Sequence, residues 1–122
     1  MQKNIKGMTR NLFFVFVILC FSAVSNAQDK TTDSVSTIDA QKNYIEGEKY
    51  FYGRGVNKDY SEALKWYRKA AEMGHASGQN TLGYMYKNGL GVAKDYAEAF
   101  KWYKMSAEQG YDAGQNNLGY MY

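Results

Sequence analysis

The sequence predicts an all-α fold, an α-solenoid of stacked antiparallel helix pairs, and three observations support this. Residues 47–86 and 83–122 align with 24 identities in 40 positions, among them Trp66/Trp102, Gly74/Gly110 and Asp59/Asp95, which sets a 36-residue period. Within each period apolar residues recur at helical spacing: Tyr60, Ala63, Leu64, Tyr67 and Ala71, then Tyr96, Ala99, Phe100, Tyr103 and Ala107. Acidic caps and glycines punctuate the period at fixed places, and no proline interrupts it. A period of this length marks a repeat architecture, in which one helix pair cannot bury its apolar face and the next pair covers it.

The elements follow in chain order. Residues 1–27 have the form of a cleavable signal peptide. Lys3, Lys6 and Arg10 supply a positive start, Leu12 to Phe21 is an unbroken apolar run, and Ser25-Asn26-Ala27 offers small residues for cleavage. As a helix, residues 12–24 would span about 20 Å, against the ~30 Å of a bilayer core, so export is expected rather than a retained anchor. Cys20, the one cysteine, lies in this segment. It follows Leu19, where lipid attachment wants Gly, Ala or Ser. The mature chain then has no thiol for a disulfide, a zinc site or nucleophilic catalysis. The net charge of +3 also belongs to this segment, because the remaining twelve basic residues balance the twelve acidic ones. No basic face is left to gain from counterion release on nucleic acid, and no membrane association is expected after cleavage.

Residues 28–39 are polar and rich in Ser, Thr and Asp, and read as a mobile linker. The solenoid is expected over 40–122, as repeats of about 40–75 and 76–111 and a partial copy over 112–122. That is about two and a half helix pairs, with helices at 40–52, 60–73, 76–88, 96–109 and 112–122. Asp59 and Asp95 each stand three residues ahead of a glutamate, Glu62 and Glu98, as an N-cap and its capping-box partner do. Gly74 and Gly110 fall where these helices should end, and Gly53, Gly55, Gly89 and Gly91 make the turns. Gly83 lies inside a helix at a cost of roughly 1 kcal/mol against Ala. Its recurrence as Gly47 and Gly119 predicts a neighbour too close for a Cβ.

These residues resemble the Sel-one-like repeat, the 36-residue relative of the tetratricopeptide repeat. The family pattern A-x-x-x-L-G-x-x-Y-x-x-G-x-G-V-x-x-D-x-x-K-A-x-x-W-Y-x-K-A-A-x-x-G is matched by Leu82, Gly83, Tyr86, Gly89, Gly91, Val92, Asp95, Ala99, Trp102, Tyr103, Ala107 and Gly110. The resemblance implies an interaction scaffold, often exported in bacteria. Glu46 departs from it, standing where later copies have Leu82 and Leu118, as suits a polar capping helix. The last copy has no second helix, so Leu118 and Tyr122 are expected to present an unmatched apolar edge. Self-association through that edge, or a truncated array acting as an assembly subunit, is an alternative reading.

No catalytic, cofactor-binding or metal site is expected. His75, the one histidine, follows Gly74 in a turn and has no second histidine to build a metal site or triad with. Glu62, Glu72, Glu98 and Glu108 occupy fixed capping or solvent-facing places. "GRGVNKD" and "GLGVAKD" lack the Gly-Lys-Ser/Thr of a phosphate loop. A cysteine-rich branch of the family carries a β-lactamase attribution, which makes a cell-envelope enzyme the other alternative. The cysteines of that branch and a Ser-x-x-Lys motif are both absent from the mature chain. What remains is a polar–aromatic ladder off the Leu82/Gly83/Tyr86 stripe: Asn80, Tyr84 and Lys87 at i, i+4, i+7, continued by Asn116 and Tyr120. On a tetratricopeptide-like superhelix the first helices line the concave groove, so this ladder is the expected site for a protein or peptide partner. The chain is expected in the periplasm or secreted.

Overall fold

A computed structural model describes residues 32–122. The expected signal peptide, residues 1–27, and Cys20 lie outside the described residues. Residues Ser36–Tyr122 form one compact unit, and the described residues before it, 32–35, are helical. The described helices are α1 (residues 32–52), α2 (Tyr60–Glu72), α3 (Ala76–Asn88), α4 (Tyr96–Glu108) and α5 (Asp112–Tyr120), with no strand among the described residues.

The expected linker over 28–39 is corrected by this structure, because the chain is already helical at residue 32. No Gly or Pro breaks residues 32–46, and adding a turn to an existing helix avoids the cost of nucleation. The composition that suggested a linker reflects exposure instead: residues 32–39 are all exposed, and Ala40 is the first buried side chain.

The caps fold as their residues dictate. Asp59 accepts from the Glu62 N–H and Asp95 from the Glu98 N–H, each at 3.0 Å. The other half of the box is closed by main chain. The Asp59 N–H donates to the Tyr50 carbonyl and the Asp95 N–H to the Tyr86 carbonyl, each at 2.9 Å. Glu62 and Glu98 pair instead with Lys65 and Lys101 one turn on, exposed contacts of little energetic weight. Gly74 and Gly110 follow the ends of α2 and α4 at φ 85° and 79°, a left-handed conformation costly for any residue with a Cβ.

Packing follows the repeat. Ala63, Tyr67 and Met85 form one buried cluster, with Tyr44, Tyr50 and Phe51 of α1 against it. Ala71, Leu82, Tyr86, Ala99, Trp102 and Tyr103 form the next. Helix α3 lies between α2 and α4 and is therefore buried on two sides, whereas α5 buries only Gly114. Buried polar groups cross between helices. Gln79 donates to the Ala71 carbonyl at 3.1 Å, which also accepts from the Gly74 N–H at 3.0 Å. Gln79 also accepts from Gln109 at 2.8 Å. The fully buried Ser106 donates to the Ala76 carbonyl at 2.8 Å.

Candidate binding groove

The first helices of successive pairs, α1, α3 and α5, enclose a groove of about 360 Å³. Its lining is Tyr44, Phe51 and Tyr52 from α1, Asn80, Thr81 and Tyr84 from α3, Asn117 from α5, and Tyr67 from α2. None of these side chains is charged. Helical period explains the set, since 44, 51 and 52 share one face of α1 as 80, 81 and 84 share one face of α3.

Ring contacts hold the aromatic wall. Tyr44 packs on Tyr67 with centroids 5.4 Å apart, and Phe51 lies 6.0 Å from Tyr67 and 4.9 Å from Tyr52. The Arg54 guanidinium covers Tyr52 at 4.7 Å from the ring centroid, a cation–π contact that anchors the groove's rim. On the α3 side the Asn80 carbonyl oxygen accepts from the Asn117 amide at 2.8 Å, tying the second copy to the third. Burial pushes the Tyr44 phenol above its ordinary value, assisted by nearby Glu48 and partly offset by a hydrogen bond with Thr81. Burial raises Tyr67 still further, with Tyr44 and Glu48 adding to it. Both phenols are therefore neutral at physiological pH. The groove offers rings, amides and hydroxyls, and no side chain in it is poised as a base or nucleophile.

His75 supports the wall from behind. It is the N-cap of α3, its Nδ1 accepting from the Gly78 N–H at 3.0 Å. That leaves the proton on Nε2, which donates to Gln41 at 2.8 Å, while the ring stacks on Tyr44 at 4.7 Å. Burial holds its pKa below the ordinary value, consistent with a ring that must stay neutral to cap. Tyr111, its counterpart in the next copy, gives α5 no side-chain cap.

Of the five residues expected at the site, the structure places Asn80 and Tyr84 in the groove. Lys87 is half-buried and does not line it, and Asn116 and Tyr120 are exposed on α5 outside it. The groove lies chiefly between α1 and α3, so α5 reaches it with one residue, Asn117, a step of about 100° round the helix from Asn116. Sequence reasoning missed Tyr44, Phe51, Tyr52, Thr81 and Asn117. Overlaying the period one copy earlier would have exposed Tyr44 and Phe51, which occupy the Asn80 and Lys87 positions.

The described residues contain no helix long and apolar enough to cross a membrane, and no cluster of three or more His, Cys, Asp or Glu able to hold a metal ion.

The Sel1 repeat model matches residues 47–75, 76–111 and 112–122, more than half of the chain. The chain belongs to the Sel1 repeat family. Among solved Sel1 structures it is similar to a Sel1 repeat protein from Oxalobacter formigenes, with 38% identity and a TM-score of 0.67 over 68% of this chain and 34% of that one. It is similar also to a protective antigen of uropathogenic Escherichia coli strains displaying an SLR fold, with 45% identity and a TM-score of 0.65 over 66% of this chain and 17% of that one. The cysteine-rich protein B of Helicobacter pylori is 26% identical with a TM-score of 0.62, over 80% of this chain and 78% of that one. An uncharacterised protein of Neisseria meningitidis serogroup B is 41% identical over 47 residues, 38% of this chain and 10% of that protein. The chain thus spans a tenth of that relative and a third of the Oxalobacter protein. Sel1 repeat proteins are commonly scaffolds for protein–protein interaction.

Proposed function

We propose that this Sel1 repeat chain is an exported scaffold that holds a protein or peptide partner in the groove between α1 and α3, and that it performs no catalysis. The observation that carries the reading is the groove itself, a concave surface of neutral rings, amides and hydroxyls built from the first helices of the array. Such a lining suits an extended or helical peptide, with the aromatics as anchors and Asn80, Thr81 and Asn117 as hydrogen-bonding groups. Tyr52 and Tyr84, 57% and 46% exposed, are the lining residues most open to contact from solvent. Export is supported by the charge and apolar pattern of residues 1–27.

The test is a pull-down with the mature chain as bait, run beside Tyr84→Ala, Asn80→Ala and Tyr120→Ala. A specific partner should be lost from the first two variants and kept by the third. Retention by all three would refute the groove as the site. Fusing residues 1–27 to an alkaline phosphatase reporter tests export, with activity outside the cytoplasm as the expected result. Nitrocefin turnover above background by the purified chain would overturn the non-enzymatic reading in favour of the β-lactamase-like one.

A further inference from the structure

We propose that the segment held in the groove between α1 and α3 is proline-rich and bound in the polyproline II conformation, its rings on the aromatic wall and its carbonyl oxygens on the asparagine amides. This rests on the groove reading above and adds to it the chemistry of the partner.

The groove is rich in donors and poor in acceptors. The Asn80 and Asn117 amides together carry four hydrogens and two carbonyl oxygens. Their mutual bond at 2.8 Å engages one hydrogen and one oxygen, whichever amide donates. Three N–H donors and one wholly free oxygen remain. The Thr81 hydroxyl is already hydrogen-bonded to the Tyr44 phenol. Tyr52 and Tyr84, the most exposed lining residues, add two phenols, which donate as readily as they accept. No carboxylate lines the groove. An ordinary extended peptide brings as many N–H groups as carbonyls, and its amide hydrogens would lose their water here with little to accept them. An α-helix uses its carbonyls internally and would leave the three asparagine hydrogens unmatched. A proline-rich segment brings carbonyls and few N–H groups. In polyproline II those carbonyls have no internal partner, so they are free to accept.

The apolar part of the lining fits the same occupant. Five of the eight lining residues are aromatic, so the walls are chiefly ring faces and edges. Those rings are not stacked flat on one another. Tyr44 and Tyr67 meet at 52°, Phe51 and Tyr52 at 72°, and Phe51 and Tyr67 at 66°. Tilted rings leave faces open to pyrrolidine rings, whose weakly positive C–H groups suit the negative face of an aromatic ring. The walls are also held before any ligand arrives, by His75 stacked behind Tyr44 and by the Asn80–Asn117 bond. Polyproline II is likewise formed in advance, so neither side has much conformational freedom to lose. With no charged side chain in the lining, recognition does not depend on charge on the partner.

The test follows the fluorescence anisotropy of fluorescein-labelled decaproline as the mature chain, the same protein used as pull-down bait, is added. Saturable binding is expected, at least tenfold tighter than that of a labelled glycine–serine decamer. It should weaken at least fivefold with Tyr52→Ala and with Tyr84→Ala, and stay unchanged with Tyr120→Ala. It should change by less than about twofold between about 50 and 500 mM NaCl, because screening acts only on charged pairs. Unlabelled decaproline should also displace the partner captured in the pull-down, a readout that needs no variant. If Tyr84→Ala and Asn80→Ala lose the pull-down partner but decaproline neither binds nor displaces it, the groove stands and the proline-rich occupant falls. If all variants keep the partner, the groove reading itself falls and this proposal with it. Decaproline binding insensitive to both Tyr52→Ala and Tyr84→Ala would place the site elsewhere and overturn the proposal. So would displacement of the partner by chitohexaose and not by decaproline, because the occupant would then be a glycan.

Discussion

Alanine substitution at the three phase-equivalent glycines should move stability in opposite directions. At Gly83 the new Cβ would stand 2.9 and 3.0 Å from two carbons of the Tyr103 ring and 3.1 Å from the Ala99 carbonyl. Real Cβ atoms essentially never sit within 3.0 Å of such an atom, and the ring, 1% exposed, has nowhere to swing. Helix α4 must therefore move off α3, an overpacking cost of about 1–3 kcal/mol. Against it stands the helix-propensity gain of Ala over Gly, about 1 kcal/mol. The net is a loss of up to about 2 kcal/mol, and Gly47→Ala should behave alike because Tyr67 closes to 2.7 Å there. At Gly119 the cost vanishes and only the propensity gain remains, reduced by position near the end of α5. For a unit of this size each kcal/mol moves the melting midpoint by roughly 4–8 °C, so the Gly83 and Gly47 variants should melt below wild type and Gly119→Ala at or above it. Thermal unfolding followed by circular dichroism at 222 nm reads all four proteins. A Gly83→Ala chain that melts as high as Gly119→Ala would refute the ring-on-glycine account.

Other outcomes follow from single contacts. His75 caps α3 only when neutral, and burial lowers its folded pKa below the ordinary 6.5. The unfolded chain therefore takes up the proton first, so denaturant stability should be level above about pH 6.5 and fall as pH drops below it. His75→Asn keeps a capping side chain and should abolish that dependence. Asp59→Ala and Asp95→Ala should each cost about 1 kcal/mol, and equally, since the two caps share the same 3.0 Å geometry. Urea midpoints at constant slope check this. Gln79→Leu removes one of the two donors to the Ala71 carbonyl and the partner of the exposed Gln109 amide, and should cost about 1 kcal/mol by the same measurement.

The helix pairs were legible because their boundaries carry chemistry. Asp59, Asp95, Gly74 and Gly110 recur at one spacing, and α2 to α5 end within two residues of where those signals put them. The start of α1 was not legible, because residues 32–39 are exposed and so lack the apolar stripe that reveals a helix. The groove was half legible. Asn80 and Tyr84 stood out because they repeat, and repetition is what misled at Asn116 and Tyr120: among the described residues these two positions of α5 are exposed and lie outside the groove. Tyr44, Phe51 and Tyr52 went unseen because they lie on the copy least like the others, where Glu46 breaks the pattern. Asn117 went unseen because its counterpart is Thr81, a chemical difference that identity counting passes over.

That difference between copies separates two kinds of surface. A joint in which a ring rests on a bare backbone admits no variation, and its positions read Gly47/Gly83/Gly119 and Tyr67/Tyr103. A groove between first helices has no such constraint, and the corresponding positions read Tyr44/Asn80/Asn116 and Ile45/Thr81/Asn117. Stability should therefore reside in the joint positions that the copies share, and partner choice in groove positions, where the first copy differs from the later ones. Adjacent residues of α3 put this to the test. Gly83 faces Tyr103, and Tyr84, one residue on, faces the groove at 46% exposure. Gly83→Ala should lower the melting midpoint, whereas Tyr84→Ala should shift it by no more than about 2–4 °C while weakening partner capture, since truncating a half-exposed side chain is usually worth within about 0.5 kcal/mol. If Tyr84→Ala melted as early as Gly83→Ala, groove and core would be one structure, and the partition of roles between the two faces of α3 would be wrong.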